Sequence, residues 1–146
     1  MLQVRTGNSI NPDAAAAGKE MAAQVKENLS DMKMAFVYSG VQYDQKKLLD
    51  AVKEELPGVP LIGNTSFTGV VTPEGYITGE DGFAGIMALS DADLTVGVAG
   101  MPKEGTARET GHKVAEKAMK AAGKDEAPAY FYMSAPSGEE EYYLKG

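Results

Sequence analysis

The sequence has no cysteine and no tryptophan, a single histidine, and no apolar run near membrane-spanning length. Each absence removes a class of chemistry. Without thiols there is no disulfide, no thiolate nucleophile, no iron–sulfur cluster and no cysteine zinc site. The lone His112, set among Lys113, Glu116 and Lys120 in a helical pattern, reads as a solvated surface residue rather than a base. Basic residues are scarce, 14 against 21 acidic ones, for a formal net charge of −7. That balance opposes binding to a nucleic-acid backbone, so no nucleic-acid partner is expected, and no membrane insertion. Met1-Leu2-Gln3-Val4-Arg5 lacks the charged-then-apolar layout of a secretion signal. The cytoplasm is the default compartment.

What is present fits one domain of 146 residues, long enough to bury a core without staples. The chain is organised around Val59-Pro60-Leu61-Ile62-Gly63-Asn64-Thr65-Ser66. A short apolar run ending in glycine and three small polar residues reads as a buried strand with its exit. Gly63 permits a turn or the close approach of a ligand, because no Cβ stands in the way. Asn64, Thr65 and Ser66 place short donors and acceptors at the carboxyl end of the strand, where α/β sheets bind ligands. An ordinary turn with solvated polar residues accounts for the same pattern.

Before that stretch, Met1–Arg5 alternates weakly as a strand and Gly7-Asn8-Ser9-Ile10 reads as a loop. Asn11-Pro12-Asp13 opens a helix, with Asn as N-cap, Pro at its first position and an acid in the first turn. Ala14, Ala17, Met21, Val25 and Leu29 form its apolar stripe. Met34–Tyr38 is an unbroken apolar strand, the pattern of a central strand covered on both faces. Asp44 caps the next helix, Tyr43 packs back on Leu48, and Pro57-Gly58 ends it. Strand, helix and strand make a βαβ unit with parallel strands.

The middle changes character. Phe67–Thr72 and Tyr76–Thr78 flank Pro73-Glu74-Gly75, a hairpin turn. Phe83–Leu89 and Leu94–Ala99 read as antiparallel neighbours across Ser90-Asp91-Ala92-Asp93. Thr106 and Glu109 form a capping box for a helix with a small-residue face, stopped at Gly123. Ala129–Met133 is a further apolar strand, and Ser137-Gly138-Glu139-Glu140 a second capping box. The fold class is therefore α+β: a mixed sheet with βαβ units, antiparallel middle strands and helices packed on it.

The two ends of the chain also overlay. Gly7–Ala22 matches Gly100–Ala115 at a constant shift of 93 residues, and Phe36 and Ser39 match Phe131 and Ser134 at 95. Internal duplication and chance convergence of two βαβ units both explain this. Duplication leads one to expect a further strand after Gly146, making residues 1–146 the first part of a longer domain or protein.

Ser39-Gly40-Val41-Gln42-Tyr43-Asp44, the helix with Leu48 and Leu49, the Val59–Ser66 stretch and Thr72-Pro73-Glu74-Gly75-Tyr76 occur in this order at close spacing. Together they resemble the N-terminal FIST domain, an intracellular sensory module of bacterial signalling proteins, over about Asp13 to Tyr132. The resemblance implies binding of a small molecule, such as an amino acid, and coupling to downstream signalling domains. It carries cysteine commonly where this chain has Asn64, so polar contact is what Asn64 can offer. The expected ligand-binding residues are Ser39, Gly63, Asn64, Thr65 and Ser66. No catalytic residue, metal ligand or cofactor is assigned.

Two rival readings stand beside sensing. A hydrolase using Thr65 or Ser66 would need a base within reach, and no nucleophile-elbow sequence is present. Gly100-Met101-Pro102-Lys103-Glu104-Gly105-Thr106 has P-loop glycine spacing but no lysine after the second glycine. A structural or assembly module would pair an open strand edge with another copy, giving a homo-oligomer.

Overall fold

The computed structural model describes residues 1–146, which form two compact units, Met1–Leu94 and Thr95–Gly146. The first holds β1 (Gln3–Ser9), α1 (Ala14–Asn28), β2 (Met34–Gly40), α2 (Gln45–Glu55), β3 (Leu61–Ser66), β4 (Val70–Thr72), β5 (Gly75–Ile77) and β6 (Ala84–Ser90). The second holds α3 (Ala107–Ala121) and the short α4 (Glu140–Leu144).

Four strands of the first unit make one mixed sheet in the order β1-β6-β2-β3. β2 and β3 are parallel, as the βαβ reading requires, while β6 runs antiparallel to both β1 and β2. The α+β class is thus as expected. Helices α1 and α2 pack on each other and share a core with one face of the sheet. Met21, Val25, Leu48 and Val52 meet Ala35, Val37, Ala84, Ile86 and Ala88 there. Burial alternates along β2: Ala35 and Val37 are buried under the helices, while Phe36 and Tyr38 on the opposite face are half-buried. The unbroken apolar run therefore marks a central strand, but not one sealed on both faces.

The helix starts follow local chemistry. Asp44 caps α2, its carboxylate accepting from the Lys47 amide at 3.1 Å. In α1 the cap is Asp13, which accepts from the Ala16 amide at 2.7 Å, and not Asn11. The Asn11 side chain instead accepts from the Asp13 amide at 3.0 Å, a turn that delivers the chain to its cap. β1 also runs on through Gly7-Asn8-Ser9, where a loop was expected. α1 crosses so closely that a Cβ on Gly7 would overlap the Met21 carbonyl oxygen. Glycine there is a packing requirement, not a turn signal.

The hairpin forms about Thr72-Pro73-Glu74-Gly75, shortened to the β4–β5 pair. Val70 of β4 packs over Gly85 on the sheet face away from the helices.

Leu94–Ala99 is not a strand. β6 is inserted between β1 and β2, so both its edges are already paired and none is left for a following strand. Ala129–Met133 is likewise not a strand: it lies outside any ladder, with a bend at Ala129 and Tyr130 81% exposed.

In the second unit Thr106 and Glu109 close their capping box, and Gly123 follows the α3 C-cap at φ +66°. The box expected at Ser137 does not form: Glu139 occupies the N-cap of α4 with no side-chain cap bond. The Glu140 carboxylate accepts from the Gly138 amide. No helix of the protein is long and apolar enough to cross a membrane.

Candidate functional site

The carboxyl ends of β1, β2 and β3 come together at one end of the sheet. On the helix side, pairing sets Ser9, Ala84, Ser39 and Thr65 in one row across the four strands. On the opposite side the adjacent row is Asn8, Gly85, Tyr38 and Asn64. The sequence therefore placed Ser39 correctly beside the β3 exit.

The residues expected at the site do not share one environment. Ser39 is 3% exposed, and its hydroxyl donates to Gln45 Oε1 at 2.6 Å. Gln45 Nε2 in turn donates to the Gly40 and Tyr43 carbonyls at 2.9 and 3.1 Å. This network ties the end of β2 to the first turn of α2. Gly63 lies inside β3 opposite Val37, and a Cβ there would overlap the Val37 carbonyl oxygen. The close approach that Gly63 permits is that of a neighbouring strand. Ser66 donates to the Gly69 carbonyl at 2.6 Å, closing the turn between β3 and β4. Asn64 and Thr65 are exposed, and because they are consecutive in a strand they project to opposite faces.

Sequence reasoning missed a second polar cluster at the same end. Ser9 Oγ donates to Glu20 at 2.5 Å, Asn11 Nδ2 donates to the other carboxylate oxygen at 2.8 Å, and Tyr43 Oη donates to the Asn11 carbonyl at 2.5 Å. Gln24 brackets Asn8, accepting from its amide and donating to its carbonyl. The Ser9 bond first, then that from Asn11, holds the Glu20 carboxyl below its ordinary value. Burial, then the Glu20 charge, pushes the Tyr43 phenol up. Only the spacing of Glu20 and Gln24, one helical turn apart on α1 and facing β1, hinted at this.

The second unit offers a shallow groove of about 560 Å³ along α3, lined by Glu116, Met119, Lys120, Gly123, Lys124 and Asp125. His112 there contacts Glu116 and the Gly146 carbonyl, as a surface histidine does. No cluster of three or more histidines and carboxylates forms in the protein.

The first unit is an α+β domain built from strand–helix–strand crossovers and closed by an inserted antiparallel strand. The FIST N domain family matches residues 33–146, and the chain belongs to that family, a family of sensory domains in signal-transduction proteins. The match takes in β2, α2 and β3 with the Gly63–Ser66 stretch, and continues through both units. It starts later and ends later than the motif resemblance, which ran from about Asp13 to Tyr132. No curated protein matches the sequence.

Proposed function

We propose that the chain is a non-catalytic sensor of a small polar metabolite, an amino acid being the fitting class, in a cytoplasmic bacterial signalling protein. The ligand would meet the carboxyl ends of β2 and β3. The observation that carries this is the pairing of Tyr38 with Asn64 and of Ser39 with Thr65, which puts an exposed amide and an exposed hydroxyl on the two faces of one strand end. Asn64 and Thr65 are the contact residues of this reading. Gly63 and Ser66 shape the strand and its exit. Ser39, its hydroxyl held by Gln45, transmits a displacement of β3 to α2 and so to an output domain. A non-catalytic role is supported by the state of the hydroxyls: those of Ser39 and Ser66 are spent on Gln45 and Gly69. At this end of the sheet the Ser9 hydroxyl meets a carboxylate, Glu20, whose lowered pKa makes it a weak base. A thermal-shift series with free amino acids and small carboxylic acids tests the reading. Stabilisation that is lost in Asn64→Ala or Thr65→Ala supports it, and no shift with any of them overturns it.

A further inference from the structure

Between Ser66 and Gly82 the chain buries nothing. Every residue of 67–81 is exposed or half-buried, while β6, directly after, carries Ala84, Ile86 and Ala88 into the core. This segment is the β4–β5 hairpin with its two legs, and each leg is pinned where it leaves the sheet. On the first, the Ser66 hydroxyl donates to the Gly69 carbonyl at 2.6 Å. On the second, Gly82 at φ +141° lies so close under the Tyr43 ring that a Cβ would overlap it. Thr78 Oγ1 donates to the Thr68 carbonyl at 2.7 Å, joining the legs to each other rather than to the sheet. A segment without buried residues, bonded within itself and anchored at its base, opens more readily than the core beside it.

Its seat on the sheet is specific. Val70 and Ile77 stand opposite each other and share the inner face of the hairpin. Val71 and Tyr76 share the outer one and are exposed. Val70 rests on Gly85, where an added Cβ would come within 3.2 Å of a Val70 methyl. Gly85 is flanked in its cross-strand row by Asn8 and Tyr38, and Asn64 follows Tyr38. A glycine between two larger side chains leaves a notch one side chain wide, and the isopropyl group of Val70 fills it. The notch therefore lies on the face of Asn64, not on that of Thr65.

We propose that the hairpin is a flap with Val70 as its plug. An amino acid with a branched apolar side chain binds at Asn64, lies across Tyr38, and sets that side chain over Gly85 in place of Val70. The hairpin then lifts from the sheet. This rests on the sensing reading above and narrows its ligand class. Asn64 and Gly85 are two strand spacings apart, about 10 Å, which the Asn64 side chain, a hydrogen bond and a valine- or leucine-sized ligand span together. Because plug and ligand compete for one notch, binding selects the open flap and shifts the population toward it.

Hydrogen exchange on the full chain, with L-valine and glycine as probes, tests this. Without ligand, amides of 70–77 should exchange through an opening insensitive to low urea, roughly a hundredfold faster than those of β2 and β6. L-Valine at millimolar concentration should raise flap exchange further, and glycine, with no side chain for the notch, should not. Two substitutions separate the plug from the opening. Val70→Ala empties the notch, so L-valine should bind roughly tenfold more tightly. Gly85→Ala fills the notch from the sheet, so the flap should open more while the response to L-valine is lost. Flap amides that exchange only together with the core strands overturn the proposal, whatever binds. A thermal shift that glycine produces as fully as L-valine overturns the plug and leaves the sensing reading standing. The absence of any shift, in Val70→Ala as well, overturns both.

Discussion

The hydroxyl of Ser9 and the carboxylate of Glu20 are 2.5 Å apart, joining the last residue of β1 to the exposed side of α1. Because this bond and that from Asn11 lower the Glu20 pKa from an ordinary 4.5, its stabilising effect has a defined pH range. A depressed folded-state value means that the contribution is present above the unfolded value and is lost as pH falls through the folded one. Urea midpoints between about pH 6 and about pH 3 should therefore fall more steeply for the native chain than for Glu20→Gln. At neutral pH the variant should lose about 1 kcal/mol, since the group is largely solvated. Parallel pH profiles would contradict the assignment.

Gln45→Ala removes the acceptor for a hydroxyl that is 3% exposed, and frees the Gly40 and Tyr43 carbonyls as well. The expected loss is about 2 kcal/mol, the cost of leaving a buried donor without a partner. Ser39→Ala in the same background should restore part of it, because no orphaned hydroxyl then remains. A double-mutant cycle in urea measures the coupling; strict additivity would refute it.

Gly63→Ala should be among the most damaging single-methyl additions in the chain. The added Cβ meets backbone, the Val37 carbonyl, which cannot rotate away as a side chain would. A loss of about 3 kcal/mol is expected, with exchange protection falling first in β3. Gly58→Ala makes a comparison of a different kind. Nothing lies near its Cβ, but its φ of +76° imposes backbone strain, so a loss of about 1 kcal/mol is expected there.

Tyr43→Phe tests the clamp between α2 and the loop before α1. The phenol donates to the Asn11 carbonyl, and its ring is buried in the core cluster. Loss of the hydroxyl alone should cost about 1 kcal/mol and raise the exchange rate of the Asn11 and Asp13 amides, while the core ring stays in place. Unaltered exchange in that loop would show that the ring alone holds it.

Much of the fold was legible because its signals are local. Asp44 as a cap, the Thr106–Glu109 box and Gly123 past α3 depend on residues within one turn of each other. The parallel β2–β3 pair follows from a helix between two apolar runs. What escaped the sequence depends on partners far along the chain. Nothing within Phe83–Leu89 shows that it slots between β1 and β2, and that insertion is why Leu94–Ala99 finds no edge. At the candidate site, Ser39 and Thr65 were placed together correctly. The roles of Gly63 and Ser66 were not legible, since the groups they accommodate, Val37 and Gly69, lie outside the motif. The Ser9–Glu20–Asn11–Tyr43 cluster is drawn from β1, α1 and the two segments before α1 and α2, and has no consecutive signature.

The position of β6 also dictates when this sheet can exist. β1 pairs with β6 alone, across registers such as Val4 with Leu89, so the first strand made has no partner until the last strand of its unit is synthesised. At about 5–20 residues per second, a ribosome exposes β1 for several seconds before its ladder can close. Through that interval α1 and α2 can collapse against β2 and β3, but the seam between β1 and β2 stays open. Closure of this unit is set by a long-range event late in the unit's own synthesis, which makes Ala84–Ser90 the segment where a rare-codon pause or a substitution would most alter the folding yield of the unit.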